Sequence, residues 1–228
     1  MATNTLRPLT VYGHWGAPNP IKIRIILDEL DIPYDWRIVE ITDVKSETFT
    51  KINVNGRVPA IVDPNTGITL WESGAIILYL IEEYDKKGKL SYGTSSEKYL
   101  LQQWLMFQVS GQGPYFGQAV WFARYHQEKI PSAITRYADE IERVASVLDT
   151  HLANTKQAYL VGEKCTYADL SFVPWANLAK GLLKELGQEK RLDKFTQYNE
   201  WLGRLNSREV VKHLNEQVEK GRKEHGMN

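Results

Sequence analysis

The sequence predicts an α/β domain followed by an all-α domain, and two observations support this fold class. The first third of the chain alternates short β-like runs with helical ones, in the order β-α-β-α-β-β-α. After a polar stretch at residues 86–98, which we interpret as a linker, β-like patterning stops and helical spacing continues. We therefore expect a sheet covered by helices at residues 1–88 and a helical domain at residues 97–228.

The elements of the first domain follow from their local patterns. Four runs have strand patterning: LTVYG, DWRIVEI, RVPAIVD and ITLWE. Three runs have helical patterning: IKIRIILDEL, SETFTKINV and SGAIILYLIEEYDKK. The Pro, Asn and Gly of PNTG predict a hairpin turn between the last two strands. Ser46 and Ser73 are the expected N-caps of the second and third helices.

The rest of the chain predicts helices. Four runs have the spacing of amphipathic helices: EKYLLQQWLMFQ, PSAITRYADEIERVASVLDTHLA, TYADLSFVPWANLAKGLL and DKFTQYNEWLGRLNS. Between the first two lies SGQGPYFGQAVWFARYH, whose three glycines and one proline permit a kink and a close backbone approach.

Composition excludes several classes of function. The 28 basic and 28 acidic residues cancel, so nothing suggests a nucleic-acid surface. A single cysteine cannot form an internal disulfide, and it fits a reducing compartment. The first residues lack a signal-peptide pattern and no apolar run approaches a membrane span, so we expect a cytoplasmic protein. The five histidines have no metal-ligand spacing, so we expect no metal site.

Asn19 is the first candidate functional residue. It lies in "GAPNP", between a predicted strand and a predicted helix. Asn is a favoured N-cap and Pro a favoured first helical residue, so an ordinary helix start explains the pattern. The alternative is that the Asn19 amide faces a ligand at the helix N-terminus, where positive partial charge collects.

Two further segments have both a structural and a functional interpretation. In "NGRVPAIVD", Pro59 either simply begins an edge strand, or follows a cis bond that leaves the Val58 backbone available to an extended peptide. In "WESGAIILYL", Ser73 and the helix N–H groups suit a carboxylate, and Glu72 suits an ammonium group. The alternative for this second segment is a cap beside a surface acid.

Together these segments resemble the glutathione transferase superfamily in order and spacing. The shared motifs are Arg57–Ala60, with its expected cis-proline, "ESGAIILYL", and a later capping box in "CTYADLSF". In that box Thr166 pairs with Asp169, flanked by the possible hydrophobic staple of Cys165 and Leu170. The resemblance covers essentially the whole chain and implies a thioredoxin-like domain followed by a helical bundle. "APN…K" with "QVSGQGPYFGQA" further resembles the Nu-class and fungal nitrogen-regulator-like branch.

The resemblance implies roles for individual residues. Asn19 would contact the glutathione sulfur, because in that branch the Asn of "PN" does so. Arg57 and Val58 would contact the peptide, and Glu72 and Ser73 the γ-glutamyl end. Lys45 lies in a segment that often adds a contact to the glycyl carboxylate.

The chain also departs from other members of the superfamily. Gly16 stands where serine-type relatives have a hydroxyl, and the loop has no cysteine. Tyr12 is near the place of the tyrosine in tyrosine-type relatives, but its register does not suit that role.

An aromatic segment suggests a second-substrate site. Its candidates include one residue of the opening loop and one cation: Trp15, Tyr115, Phe116, Trp121, Phe122 and Arg124. Core packing is the alternative for each of them.

The resemblance therefore predicts a dimeric, cytoplasmic glutathione transferase. Glutathione is its expected cosubstrate, and its other partner is a small electrophile or disulfide, with no metal, nucleic acid or membrane. Glutathione-dependent disulfide or peroxide reduction is the alternative enzymatic activity. A non-catalytic glutathione- or ligand-binding regulatory protein is the alternative of another class.

Overall fold

The computed structural model describes residues 6–226, so the expected domain limits at residues 1 and 228 lie outside the described part. The described residues form two compact units. The first extends to Lys89 and resumes at Arg208, and the second is Leu90–Ser207.

The first unit contains a four-stranded sheet in the order β2-β1-β3-β4. Its strands are β1 (Leu9–Gly13), β2 (Tyr34–Ile38), β3 (Ala60–Val62) and β4 (Thr69–Trp71). β2 is parallel to β1, and β3 is antiparallel to both β1 and β4. All four strands overlap the runs that the sequence predicts as strands, because apolar alternation and the turn at PNTG are local signals. β2 begins one residue before its predicted run, at Tyr34.

Three helices follow these strands: α1 (Pro18–Glu29), α2 (Glu47–Thr50) and α3 (Ser73–Tyr84). The Ser46 side chain accepts a hydrogen bond from the Phe49 N–H at 3.3 Å, so Ser46 is the cap expected for α2. The expected cap at Ser73 is wrong, because Ser73 is the first residue of α3 and Glu72 holds the cap position.

Asn19 is also not a cap. The N-cap of α1 is Ala17, which has no capping side chain, and Pro18 takes the first helical position. Asn19 is consequently the second residue of the helix and does not occupy its N-cap position.

The second unit is helical. Its α-helices are α4 (Ser95–Phe107), α5 (Gly113–Val120), α6 (Pro131–Thr155), α7 (Tyr167–Glu185) and α8 (Thr196–Asn206). The expected irregularity in the glycine-containing segment takes the form of two π-helical stretches, Gln108–Gln112 and Trp121–Tyr125, on either side of α5.

The capping box at the start of α7 is present and is part of a larger buried network. Asp169 Oδ2 accepts from the Thr166 N–H at 2.9 Å and from the Thr166 hydroxyl at 2.7 Å. Asp169 Oδ1 accepts from the Leu160 N–H and from Trp201 Nε1, each at 2.9 Å. One carboxylate thereby connects the start of α7 to the preceding loop and to α8.

A last helix, α9 (Glu209–Glu224), belongs to the first unit and packs on α1. The expected helical domain of residues 97–228 therefore differs from the observed second unit in its last segment. Local pattern could not reveal this, because a charged helix with one apolar stripe fits either unit. None of the helices within residues 6–226 has the length and apolarity that a membrane span requires.

We expect Asp169→Ala to lower the free energy of unfolding more than Thr166→Ala does. Thr166→Ala removes a cap, which costs about 1 kcal/mol. Asp169→Ala leaves the buried Leu160 N–H and Trp201 Nε1 without their acceptor, at about 1–3 kcal/mol for each donor. Urea denaturation of both variants measures the difference, and Ser46→Ala is a control for a cap outside the network. Equal costs for Asp169→Ala and Thr166→Ala would contradict the network role.

Candidate functional site

Three connections of the first unit meet at one end of its sheet. The strand register pairs Tyr12 with Ala60, and Ala60 with Trp71. The loop after β1, the segment before β3 and the turn after β4 consequently emerge at the same end of the sheet. All six residues expected to bind glutathione lie in the first unit, and five of them are in or beside these connections.

The loop after β1 is held by His14, a buried residue that the sequence did not single out. The Gly16 N–H donates to His14 Nδ1 and the Ala17 N–H donates to the His14 carbonyl, each at 3.1 Å. Because Nδ1 accepts, the ring proton is assigned to Nε2, which lies 3.6 Å from Glu40 Oε2. These contacts define the backbone path into α1, and they place Asn19 half-buried in its first turn.

The segment before β3 is held by Asn53, a second residue that the sequence did not single out. Asn53 is buried, its Nδ2 donates to the Arg57 carbonyl at 2.6 Å, and its Oδ1 accepts from the Asn55 N–H at 2.9 Å. The second bond is an Asx-turn, so "NVN" carried a local signal for it. The Lys45 ammonium group donates to the Asn55 carbonyl at 2.6 Å, which brings Lys45 to the same loop.

The Val58–Pro59 peptide bond is cis. Neither the Val58 N–H nor its carbonyl has a hydrogen-bond partner within residues 6–226. Both groups can therefore pair with an added extended segment, in the manner of strand addition.

Glu72 and Ser73 lie at the start of α3. Glu72 is exposed and has a φ of 73°, a region that non-glycine residues seldom occupy. Its side chain does not cap the helix, so the positive end of α3 has no side-chain acceptor at its cap position. Ser73 is buried beside these N–H groups. The pair offers a carboxylate for a cation next to a helix N-terminus that suits an anion.

Lys22 is a buried lysine one helical turn after Asn19, and only 1% of its surface is exposed. Burial lowers the pKa of Lys22 to about 7, and the charge of Glu72 opposes this shift. The cation of Lys22 is therefore close enough to Glu72 to influence it electrostatically. The sequence showed the position as the Lys of "APN…K" but not its burial.

The expected second-substrate residues have different environments. Phe116 is in the core with 2% exposure, so its expected contact with substrate is not supported. Arg124 is bound by Glu185 through Nε–Oε2 at 3.0 Å and Nη2–Oε1 at 2.5 Å, so its charge is already neutralised. Trp121 is 50% exposed and is the most accessible of the set.

The other aromatic candidates pack against defined neighbours. The Phe122 ring stacks on Tyr137 with centroids 5.5 Å apart. The Tyr115 ring lies 5.9 Å from the guanidinium carbons of both Arg136 and Arg143, two cations that the sequence did not single out. These residues are in the second unit, whereas Trp15 is in the first.

No group of three or more His, Cys, Asp or Glu side chains within residues 6–226 could hold a metal ion. The single cysteine, Cys165, is buried in the second unit. The open Val58 backbone, the Glu72 carboxylate and the N-terminus of α3 have the chemistry to pair with a peptide backbone, a cation and an anion, respectively.

Comparisons with known proteins give the same assignment for both parts of the chain. The model of the glutathione S-transferase N-terminal domain matches residues 7–82, and the model of the C-terminal domain matches residues 114–209. Glutathione S-transferase-like protein tpcF of Aspergillus fumigatus is 46% identical over 214 residues, covering 90% of this chain and 94% of that protein.

Two solved structures have the same fold. Glutathione transferase URE2P6 of Phanerochaete chrysosporium, in complex with oxidized glutathione, has a TM-score of 0.87 and 42% identity, and covers 97% of this chain and 100% of that chain. Ure2p5 of the same organism, cocrystallized with 1-(S-glutathionyl)-2,4-dinitrobenzene, has a TM-score of 0.84 and 36% identity, with 94% and 96% covered. The expected fold and the expected resemblance to the fungal branch are thereby confirmed.

The burial of Lys22 predicts a specific pH dependence of stability. The unfolded chain holds the proton of this lysine up to its ordinary pKa of 10.5, whereas the folded protein releases it near pH 7. Between these values the unfolded state binds more protons, so stability rises with pH, by at most about 1.4 kcal/mol per pH unit. We expect the wild type to gain stability relative to Lys22→Met between pH 7.5 and 9.5, as measured by urea denaturation.

Lys180→Met is the control, because Lys180 is exposed on α7 and its ammonium group stays in water in both states. Its stability difference from the wild type should not change over this pH range. A constant difference between the wild type and Lys22→Met would show that Lys22 stays protonated when buried.

Proposed function

This chain belongs to the glutathione S-transferase family, and we propose that it is a glutathione transferase that conjugates glutathione to a small, mostly apolar electrophile. The observation that carries the proposal is the convergence of an unpaired Val58 backbone, an exposed carboxylate and two uncapped helix N-termini at one end of one sheet. These groups complement the peptide, ammonium and carboxylate groups of glutathione and its thiol.

The binding mode follows from matching charges. The Val58 N–H and carbonyl would pair with the cysteinyl backbone of glutathione as an added strand. The Glu72 carboxylate would bind the γ-glutamyl ammonium group, and Ser73 with the first N–H groups of α3 would bind the γ-glutamyl carboxylate. Lys45 and Arg57 would bind the glycyl carboxylate. The Lys45 ammonium group already reaches the loop that carries Arg57, since it bonds to the Asn55 carbonyl.

Asn19 would activate the thiol without acting as a base. A free thiol has a pKa of about 8.5, so little thiolate exists at neutral pH. Lowering that pKa by ~2 units needs about 2.7 kcal/mol of preference for the anion. One amide N–H donated to a thiolate contributes about 1.5–3 kcal/mol, and the N-terminus of α1 adds ~0.3–1 kcal/mol. The two contributions together match the requirement.

The reaction then needs no further protein nucleophile. The thiol proton passes to solvent, the thiolate forms a carbon–sulfur bond, and the leaving group departs as an anion. In an addition, the electrophile instead takes up a proton. The conjugate found with the relative Ure2p5 is the product of such a substitution at a dinitrobenzene ring, which supports this reaction class.

For the second substrate we propose an aromatic site that includes Trp121, Phe122 and Tyr115. The exposure of Trp121 and the ring stack at Phe122 favour a flat, apolar electrophile. We further propose that the protein is a cytoplasmic homodimer, as the resemblance implies, and that it acts without a metal.

Glutathione-dependent disulfide reduction is the second candidate, and one observation favours it. The relative URE2P6 binds oxidized glutathione. The only cysteine of this chain is the buried Cys165, so the substrate would be a mixed disulfide between glutathione and a second thiol. A glutathione thiolate would attack the glutathione sulfur of this disulfide directly. That exchange yields oxidized glutathione and the thiolate of the other partner.

We expect Asn19→Ala and Ser73→Ala to separate activation of the thiol from binding. Asn19→Ala should raise the pKa of the bound glutathione thiol by about 1–2 units, because it removes the charge-assisted donor. It should change the glutathione dissociation constant little at a pH where the thiol is neutral. Ser73→Ala should weaken glutathione binding about tenfold and leave the thiol pKa unchanged. Ultraviolet absorbance of the thiolate gives the pKa, and calorimetry gives the affinity.

An unchanged thiol pKa in Asn19→Ala would refute the role of Asn19 even if activity fell. Turnover is measured with 1-chloro-2,4-dinitrobenzene and with a glutathione mixed disulfide. Glutathione binding without turnover of either substrate would favour the non-catalytic binding protein. Turnover of the disulfide alone would favour the reductase.

A further inference from the structure

Trp15, in the loop that leads to Asn19, packs against the last helix of the chain. An ideal Cβ on Gly221 of α9 would lie 2.4 Å from Trp15 Cδ2, 2.5 Å from Cε2 and 2.8 Å from Cγ. Distances below 3.0 Å essentially never occur for real Cβ atoms. The indole ring therefore occupies the space that any side chain at position 221 would need.

Backbone geometry does not explain the glycine at this position. Gly221 lies in the last turn of α9, its φ is not in the left-handed region, and glycine is a poorer helix former than alanine. The close approach of Trp15 explains why position 221 is a glycine, whereas helix propensity does not.

Arg24 of α1 is the third part of this contact. Its guanidinium carbon lies 4.9 Å from the ring centroids of both Trp15 and Trp36. Arg24 Nε donates to the Tyr34 hydroxyl at 2.9 Å, and Nη2 donates to Gln217 Oε1 at 2.5 Å. Arg24 is buried, and its Nη1 has no hydrogen-bond partner in the described part of the chain. The aromatic faces are therefore an important part of what stabilises this cation.

Helix α9 is the less movable side of the contact. Arg208 forms a two-point ion pair with the buried Glu29, with Nε–Oε1 at 2.6 Å and Nη2–Oε2 at 2.8 Å. Val211 and Leu214 of α9 are buried as well. The loop of Trp15 is instead a short turn with Gly16 exposed, and it is held by the His14 bonds, so added bulk at Gly221 should displace the loop.

We propose that Gly221, through Trp15, positions the loop that places Asn19 against the glutathione sulfur. Gly221 and Trp15 are positioning residues in this inference, which rests on the proposed function. A displaced Trp15 moves a turn that ends at Ala17, the cap of the helix on which Asn19 is the second residue. The amide of Asn19 then no longer meets the sulfur at hydrogen-bond distance, although the groups that bind the rest of glutathione stay in place.

The test compares Gly221→Ala with Gly203→Ala. Both positions are in helices, and a Cβ at Gly203 of α8 meets nothing within 4 Å, so both variants gain the same helix propensity. We expect Gly221→Ala to raise the pKa of the bound glutathione thiol and to lower kcat about tenfold or more, since displacements near 1 Å cost on the order of 10²-fold. The affinity for S-hexylglutathione, which has no thiol, should stay within about twofold of the wild type, since the remaining contacts are unchanged. Gly203→Ala should behave as the wild type.

A rescue variant and a milder variant complete the test. Adding Trp15→Phe to Gly221→Ala removes part of the ring that meets the new methyl group, and it should bring the thiol pKa back toward that of the Trp15→Phe single variant. Gln217→Ala breaks the bond to Arg24 without adding bulk, so it should give a smaller shift in the same direction. If circular dichroism shows that Gly221→Ala does not fold, Gln217→Ala takes its place in the test.

The outcomes separate this inference from the proposed function. If wild-type protein binds glutathione and acidifies its thiol, but Gly221→Ala and Gln217→Ala both leave the thiol pKa unchanged, the positioning role is overturned alone. If Gly221→Ala weakens S-hexylglutathione as strongly as it lowers kcat, the contact is merely structural and the inference is again overturned. If wild-type protein neither binds glutathione nor acidifies it, the proposed function and the inference fall together.

Discussion

Three ionisable side chains of one helix are buried, and the need to stabilise the charges of two of them, Arg24 and Glu29, determines much of the first unit. Lys22, Arg24 and Glu29 are all on α1, with exposures between 1% and 5%. A buried charge is costly unless hydrogen bonds, an opposite charge or aromatic faces compensate. For Arg24 and Glu29, part of that compensation comes from Gln217 and Arg208, almost two hundred residues further along the chain.

This requirement explains why α9 belongs to the first unit. The ion pair at Glu29 holds the beginning of α9, the bond to Gln217 holds its middle, and Gly221 places its end against Trp15. α1 therefore has its N-terminus at the candidate site, and the buried charges of Arg24 and Glu29 lie along the contact with α9. A helix that carries the proposed catalytic residue is thus held along most of its length, as precise placement of a donor requires.

The candidate site contains two loops that are fixed by internal hydrogen bonds, together with hydrogen-bonding groups that are left open. His14 and Asn53 bind the two loops internally, so that the loops keep their shape without a ligand. The Val58 backbone and the start of α3 remain available to a ligand. For the proposed glutathione site, this division would lower the entropic cost of binding, because both loops are held by hydrogen bonds of the protein itself.

The sequence alone determined the fold class, the order of strands and helices along the first domain, and the three motifs of the family. These features are accessible because alternation, turn residues and capping boxes are local patterns. It also indicated Asn19, Glu72 and Ser73 as candidates. Each of them alone fits an ordinary helix start, but the three segments together resemble the motifs of the family. Only the tertiary structure decided which contacts these residues make. It buried Phe116, paired Arg124 with Glu185, and made Glu72 rather than Ser73 the cap residue. α9 contacts Glu29 and Trp15, which are distant in sequence, and such contacts are specified by packing rather than by local periodicity. His14 bonds to the neighbouring Gly16 and Ala17, but no local periodicity marks a loop histidine for that role.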